Sequence, residues 1–368
     1  MKRIIGKIKR KFTIRRLIRI FDFDEHDQHK GNNRKEVAEN AIKSWYEKLS
    51  ENQVRYFINA LSEYRYYSSI KTSKTYEKLL NDVEYKEIRE VIKGKSVIYM
   101  PLKKKNDRTE TSISMFVNFI NVFGIDSLQT SQEDTVKWFE NYKNLNEKFK
   151  KYDHIKEEYE RKIEEYEALS AKKTHDKLVN KSIDRQIEKN KNNATREYES
   201  KKREKSNLLK DHKHEFDAKN ILIVDDFLCS GTSLIKLLTS ISSYAIDLDK
   251  MIYFVFLEAT KEGKLAVENN PIFKSFNNVK IYNLNTAINY EEDILSSKEE
   301  VKEFKSNKEE IYREFKLSDD RRYNPKTMFS SFVNAPNSNY AFLSLPPKDG
   351  DWLTPFPRKK RGRRKVKV

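Results

Sequence analysis

Two adjacent carboxylates followed by a short hydroxyl-rich loop are the residues of this sequence best suited to chemistry. Asp225 and Asp226 directly follow the apolar run at residues 221–224, and small residues come soon after: Ser230, Gly231, Thr232 and Ser233. Open α/β sheets bind ligands at the carboxyl ends of their strands, where this acid pair is expected. Carboxylates suit vicinal hydroxyls, and the amides at a helix start suit a phosphate. Gly231 permits a ligand to approach the backbone closely. Acids for hydroxyls and amides for a phosphate, so near each other, together predict a sugar-phosphate site.

The elements that must position this site alternate between strand and helix. Four consecutive apolar residues at 221–224 predict a strand buried on both faces, as in a parallel sheet. Further strands are predicted at 96–100, 251–257 and 279–284, with a helix at 233–242 and another that Ser112 can cap. The fold class is therefore predicted to be α/β, with a parallel-sheet core formed by residues 94–131 and 211–334.

Helical patterns surround this core. Residues 1–93 are interpreted as a basic N-terminus, either amphipathic helix or edge strand over 1–20, followed by a helical layer from 34 to 89. Between 132 and 210, apolar residues step by threes and fours among Lys and Glu, with a break near 170–174. This pattern predicts an antiparallel helical hairpin inserted into the core, its charges forming the solvated face. A helix is also predicted at 291–316, before an ordered, irregular closing segment at 335–357.

The positive charge of the chain belongs to its two ends. Nine Lys and Arg residues lie within residues 1–19 and eight within the tail at 358–368, with no acid among them, and together they equal the net charge of +17. Such runs repel themselves, stay solvated and attract phosphate backbones through counterion release. Two interpretations stay open: solubilising ends, or ends that contact nucleic acid. The C-terminal run also resembles a nuclear-import signal.

Cysteine content and hydropathy narrow the class of protein. The single cysteine, Cys229, excludes an internal disulfide and a zinc site built from several cysteines. No apolar run approaches the length of about 20 residues needed to span a bilayer, so we expect a soluble, cytoplasmic protein without a membrane partner. The polar run at residues 22–29 contains possible metal ligands, but it is interpreted as a solvated loop, and no protein metal site is predicted.

The loop at residues 221–233 resembles the phosphoribosyl-diphosphate (PRPP) binding signature of type I phosphoribosyltransferases. The resemblance implies that Asp225 and Asp226 bind the ribose 2′- and 3′-hydroxyls and act catalytically. It also implies that the 5′-phosphate binds the loop made of Cys229, Ser230, Gly231, Thr232 and Ser233, with Mg²⁺ held through the PRPP diphosphate. Phe227 and Cys229 depart from the family pattern, which often has an acid at the latter position in purine-type members. The alternative is a Gly-Thr turn and helix cap in another α/β protein.

Two further family elements are implied by position. A pyrophosphate loop would fall at residues 103–109, where Lys103, Lys104, Lys105 and Arg108 could neutralise a diphosphate, although lysine runs are also ordinary surface. The hairpin lies where the family has a flexible loop over the reaction centre. It is therefore interpreted either as an enlarged lid or as an arm for a protein partner.

The closing segment is similar to the end of a divergent phosphoribosyltransferase-like branch that is associated with bacterial conflict and anti-phage systems, including some retrons. That likeness implies a hood over the ligand, in which Trp352 or Phe356 stacks on a base, the alternative being ordinary aromatic packing. The leading hypothesis is a defence effector that acts at ribose C1. The alternatives are a catalytically inactive PRPP-binding or nucleic-acid-associated scaffold and a housekeeping salvage enzyme.

Overall fold

A parallel four-stranded sheet forms the centre of the protein. The computed structural model describes residues 2–25, 27–29, 31–103, 110–171, 177–246, 248–317, 327–332, 335, 339–345 and 352–357. The strands of these ranges are β1 Gln28–His29, β2 Asn32–Asn33, β3 Arg65–Tyr67, β4 Val97–Pro101, β5 Asn220–Leu228, β6 Met251–Ala259, β7 Val279–Thr286 and β8 Phe329–Ser331. The central sheet has the order β4-β5-β6-β7, β1 pairs antiparallel with β2, and β3 pairs parallel with β8. The predicted parallel core is confirmed.

Helices cover both faces of the central sheet. Within the same ranges they are α1 Lys2–Phe21, α2 Arg34–Lys48, α3 Glu51–Ser62, α4 Ser69–Tyr76, α5 Lys78–Asn81, α6 Lys86–Lys93, α7 Glu110–Phe123, α8 Thr135–Asp153, α9 Ile155–Ala171, α10 Lys177–Asp211, α11 Lys213–Asp217, α12 Thr232–Ala245, α13 Lys261–Glu268, α14 Pro271–Lys274, α15 Lys298–Glu314 and α16 Ala341–Ser344. Short 3₁₀ turns lie at Val83–Tyr85 and Ser127–Gln129.

The apolar run of β5 is buried on both faces, as its composition predicts. Because successive strand side chains point to opposite faces, Ile221 and Ile223 enter a first core with α8 and α12, whereas Leu222 and Val224 enter a second core with α4 and α7. Neighbouring strands are in parallel register, so the carboxyl ends of β4, β5 and β6 meet at one edge of the sheet. The acid pair lies at that edge.

The hairpin predicted between 132 and 210 is formed by α8, α9 and α10. As the residue number rises along the first arm, the contacting residue on the second arm has a lower number. Tyr152 donates to Glu204, the rings of Tyr159 and Tyr198 stack at 4.6 Å, and Lys191 donates to Glu167. The arms are therefore antiparallel. Two details differ from the prediction. A turn at His154 divides the first arm, and the first turns of α8 belong to the first core through Trp138, Phe139 and Tyr142.

A third core joins the two ends of the chain. It packs α1, α2, α3 and α15 against the closing segment, with Phe57 stacked on Phe342 at 4.3 Å and Trp45 on Trp352 at 5.4 Å. The N-terminal segment is thus helical, not an edge strand. Residues 34–89 are not helical throughout, because β3 interrupts them to pair with β8. The helix predicted at 291–316 starts later, at Lys298, because Ser297 and Glu300 form a capping box.

The polar run at residues 22–29 is not simply a solvated loop. Asp27 is buried, and its carboxylate accepts hydrogen bonds from the Tyr66 hydroxyl at 2.8 Å and the Asp24 amide at 3.1 Å. No cluster of metal-binding side chains was found within the described ranges. None of the helices placed there is long and apolar enough to cross a membrane.

Candidate active site

The acid pair is held at the carboxyl end of β5 by groups from two elements. The Asp225 carboxylate accepts hydrogen bonds from the Ser112 hydroxyl at 2.7 Å and from the Asp226 amide at 2.9 Å. Ser112 had been expected to cap its helix, but α7 begins two residues earlier, so this side chain is available to orient Asp225. The charge-assisted bond fixes the rotation of the carboxylate.

Asp226 has an unusual protonation equilibrium. Burial, followed by the negative charge of Asp225 and a hydrogen bond to it, holds the pKa of Asp226 well above its ordinary value of 3.8. Two carboxylates so close resist simultaneous ionisation, so the pair tends to keep one proton between them. A ligand that brings hydroxyl groups or positive charge to this edge would relieve the repulsion.

A third group lies near the acids. The Tyr76 side chain, from α4, is fully buried, and its hydroxyl has no hydrogen-bond partner among the described residues. Its pKa is raised well above the ordinary value by burial and then by the charges of Asp226 and Asp225. Burying a hydroxyl without a hydrogen-bond partner costs free energy of folding. The Tyr76 hydroxyl is therefore available to donate to a ligand or a water at the acid pair.

The loop after the acids has the backbone geometry of an anion site. Gly231 adopts a left-handed conformation with φ of 73° and precedes α12 without any side-chain cap. The first amides of a helix lack intrahelical partners, no side chain caps those of α12, and the helix dipole favours negative charge at this end. Ser230, Thr232 and Ser233 are exposed beside them, with 3.1 Å between the hydroxyl oxygens of Ser230 and Thr232.

The first turns of α13 pack closely against this loop. A Cβ atom at Gly231 would lie 2.7 Å from both the Gly263 carbonyl oxygen and Val267 Cγ2, and one at Gly263 only 1.6 Å from the Cys229 carbonyl oxygen. Thr260 locks the contact, because its hydroxyl donates to that same carbonyl at 2.5 Å and accepts from the Gly263 amide at 2.9 Å. Both glycines are therefore required for backbone-to-backbone packing.

The segment after β4 reaches the same edge. The Leu102 amide donates to the Val224 carbonyl at 2.9 Å, which places Lys103 beside β5 next to Asp225. The Lys103 ammonium donates to the Gln132 carbonyl at 3.1 Å and its amide to Thr135 Oγ1 at 3.0 Å. The other residues predicted for a pyrophosphate loop, Lys104, Lys105 and Arg108, lie outside the described residues.

The two aromatic residues predicted to stack on a ligand are placed in the third core. Trp352 is 2% exposed, and its indole nitrogen donates to the Phe342 carbonyl at 3.0 Å. Phe356 is fully buried, with its ring stacked on Tyr64 at 4.2 Å. Because protein rings occupy these faces, the site described here does not include either residue. Residues 336–338 and 346–351 of the closing segment lie outside the described residues.

A second polar cluster lies one strand away. The fully buried Glu258 of β6 accepts hydrogen bonds at Oε1 from the Tyr67 hydroxyl at 2.7 Å and from Arg65 at 3.1 Å. Asn285 of β7 donates to the Tyr67 hydroxyl at 2.9 Å. Burial raises the pKa of Glu258, while Arg65 opposes the rise. The cluster therefore ties β3 to the carboxyl edge of the sheet.

This tie gives the first testable prediction. Tyr67→Phe removes a hydrogen bond to a buried carboxylate, so we expect the free energy of unfolding to fall by about 1.5–3 kcal/mol. Urea denaturation measures the loss. Tyr152→Phe is the matched control, because Tyr152 donates to Glu204 on the exposed hairpin and should cost under about 0.5 kcal/mol. Equal effects of the two substitutions would contradict the assigned role of Glu258.

Sequence reasoning found the acids and the loop but missed their supports. Glu258 had a signal, because it is the only charged residue in the apolar run of β6. Tyr76, Thr260 and Gly263 had none, since each reaches the site through packing between separate elements.

Comparison with known proteins supports the same interpretation. The family model PRTase-CE matches residues 42–358, which include the sheet, the acid pair and the loop. No curated protein and no solved structure matches the sequence. Because the match covers most of the chain, the protein belongs to the PRTase-CE family and has a phosphoribosyltransferase-like fold.

Proposed function

We propose that the site binds PRPP and acts at its ribose C1. The observation that carries this proposal is the adjacency of a carboxylate pair to an uncapped helix start that follows a left-handed glycine. The spacing suits a sugar phosphate, because the acids accept from vicinal hydroxyls while amides bind the phosphate at the other end. Family membership supports the ligand class.

Each part of the ligand has proposed partners. The 5′-phosphate binds the first amides of α12 and the hydroxyls of Ser230, Thr232 and Ser233, with Cys229 contributing to the loop. The ribose 2′- and 3′-hydroxyls donate to Asp225 and Asp226, and Ser112 keeps the first acid in position. The diphosphate lies toward the segment after β4, where Lys103 is located and where Lys104, Lys105 and Arg108 follow in the sequence.

The proposed reaction is a displacement at C1. An acceptor atom forms a bond to C1, the bond from C1 to the diphosphate oxygen breaks, and its electron pair leaves with pyrophosphate. Asp225 and Asp226 orient the ribose and stabilise the positive charge that develops at C1. Oxygen-rich surroundings suit Mg²⁺, which when bound neutralises the leaving diphosphate. The carboxylate pair fits such a cation because repulsion within the pair falls in its presence.

Isothermal titration with PRPP and Mg²⁺ tests the proposal. We expect micromolar binding by the full chain and a loss of at least about 100-fold in the Asp225→Ala/Asp226→Ala variant, since both ribose contacts disappear. Glu157→Ala/Glu158→Ala is the control with the same change in net charge, on the exposed face of the hairpin. Failure of the unaltered protein to bind PRPP would overturn the proposal. Binding without pyrophosphate release, in the presence of candidate acceptors, would favour the inactive scaffold.

We further propose that this activity serves bacterial phage defence. The support is the resemblance of the closing segment to the conflict-associated branch and the hairpin, which gives a partner protein an arm that small-molecule salvage does not need. Expression in a phage-sensitive bacterium should lower plaque counts for the unaltered protein but not for the double aspartate variant. Equal plaque counts for both proteins would refute this role while leaving the ligand proposal intact.

A further inference from the structure

One oxygen of the buried Glu258 carboxylate is used by the fold and the other is not. Oε1 accepts hydrogen bonds from the Tyr67 hydroxyl and from Arg65, which ties β3 to the sheet. Oε2 is buried as well, yet no group within the described residues donates to it. Burying a carboxylate oxygen without a donor costs free energy of folding. Such an oxygen in a folded protein calls for a partner from outside the chain, and a ligand is one.

The strand register places Glu258 close to the acid pair. Glu258 of β6 pairs with Phe227 of β5, which is two residues beyond Asp225. Neighbouring strands are about 4.8 Å apart and rise about 3.3 Å per residue, so the Cα atoms of Glu258 and Asp225 are about 8 Å apart. Both carboxylates are reached from the same side of the sheet, because Ser112 belongs to α7 and Tyr67 to the second core, which α7 also lines. Two small molecules that react with each other can therefore contact one carboxylate each.

The groups around Glu258 decide which kind of molecule fits. The Arg65 side chain is 33% exposed, and its Nη1 donates both to Glu258 and to the carbonyl of the exposed Thr286, so the cluster reaches solvent here. The Lys71 ammonium lies 5.4 Å from the centre of the Tyr67 ring. Two cations beside one carboxylate disfavour a cationic ligand. Oε2 needs a donor, and a guanidinium group has five N–H donors, so an uncharged molecule with an N–H beside a carbonyl fits.

We propose that Glu258 and Arg65 form a second binding subsite, for the acceptor of the reaction at C1, and that this acceptor is an uncharged amide or lactam. The identification as acceptor rests on the proposed function, whereas the chemistry of the subsite does not. Glu258 Oε2 accepts from the N–H of the ligand, and Arg65 donates to its carbonyl. The same cluster argues against an amine as acceptor, because an ammonium group would be repelled by Arg65 and Lys71.

Ligand-observed NMR titration of the full chain with 2-pyridone tests the subsite. This probe is an uncharged lactam with one N–H beside its carbonyl, and N-methyl-2-pyridone is the matched probe that lacks the N–H. We expect 2-pyridone to bind at least about tenfold more tightly, because the methylated probe leaves Oε2 without a donor. Each titration is made with and without PRPP and Mg²⁺, so that the result does not depend on PRPP binding.

Glu258→Gln separates binding from the structural role of this residue. The glutamine oxygen can still accept from Tyr67 and Arg65, which leaves its NH₂ group at the position of Oε2 and turns an acceptor into a donor. We expect this variant to bind 2-pyridone about tenfold more weakly or worse and to lose the preference for the probe with the N–H. Glu303→Gln, the same change at an exposed position of α15, should alter binding less than about twofold.

The outcomes distinguish this subsite from the PRPP site. Equal binding of the two probes, no binding of 2-pyridone under either condition, or an unchanged preference in Glu258→Gln would overturn the subsite. PRPP binding by Glu258→Gln should match that of the unaltered protein, since the ribose contacts remain. If the unaltered protein fails to bind PRPP but prefers 2-pyridone, the proposed function fails and the subsite stands. Thermal denaturation checks that the variant is folded; if it is not, the two probes on the unaltered protein still decide.

Discussion

Gly263→Ala is expected to disrupt the loop that we assign to phosphate and to destabilise the protein by about 3 kcal/mol or more. The added methyl group would meet the Cys229 carbonyl oxygen at 1.6 Å and Thr260 Oγ1 at 2.8 Å, so either α13 or the loop must move. A shift of the loop displaces Gly231 and the start of α12. Urea denaturation should show the lower stability, and PRPP titration should show weaker binding even where the variant is folded.

Gly94→Ala is the control for this prediction. Gly94 follows α6, shortly before the amino end of β4, and its backbone is extended. An added methyl group would lie 3.2 Å from the nearest atom, the Val91 carbonyl oxygen. We expect a change in stability below about 1 kcal/mol and the same result in the PRPP titration as for the unaltered protein. If Gly263→Ala behaved like this control, the close packing between α13 and the loop would not be needed for the site.

Asp226→Asn is expected to change stability and ligand binding in opposite directions. Because the pKa of Asp226 is raised in the folded protein, the folded state holds a proton that the unfolded chain releases near its ordinary pKa of 3.8. The ionised side chain therefore destabilises the fold progressively as pH rises from about 4 through the raised pKa. Asparagine has the same shape without the charge and can still donate to Asp225. We expect it to raise the free energy of unfolding near neutral pH by about 0.5–2 kcal/mol.

The pH dependence identifies the cause. The stability gained by Asp226→Asn should be smallest near pH 4 and grow toward pH 8, whereas Asp211→Asn, an exposed acid at the end of α10, should show no such trend. PRPP binding by Asp226→Asn should fall by at least about tenfold, because an uncharged amide is a poorer acceptor for the ribose hydroxyls. A gain in stability that is constant across pH would show that the charge of Asp226 is not the source of strain.

Local chemistry made the core of the site predictable. The four apolar residues before Asp225 favour a strand buried on both faces, as in a parallel sheet, and carboxylates after such a run are then expected at the carboxyl edge of that sheet. Gly231 is one of few residues that adopt a left-handed conformation readily, so the turn into α12 was also predictable. The hairpin followed from helical periodicity alone, which depends on neighbours three and four residues away.

Other interpretations could not be settled without packing. The same aromatic residues could line a hood or fill a core, and only the fold placed Trp352 and Phe356 among protein rings in the third core. Likewise, Arg65 and its neighbours lay within a helical pattern, yet they form β3, because β8 from the far end of the chain pairs with it. Pairing across such a separation overrides local propensity and leaves no periodic signal.

The sequence by itself determined the parallel sheet, the acid pair with the glycine-containing loop that follows it, and the concentration of positive charge at the two ends, because each rests on residues close together in the chain. Tertiary structure decided that Ser112 orients Asp225, that Gly263 packs on the loop, and that the hydroxyl of Tyr76 lies near the acids. It also decided that Phe356 packs against Phe21, the last residue of α1. These contacts join residues that are far apart in the sequence. They form because the elements that carry these residues pack against each other in the folded protein, and no local pattern encodes that packing.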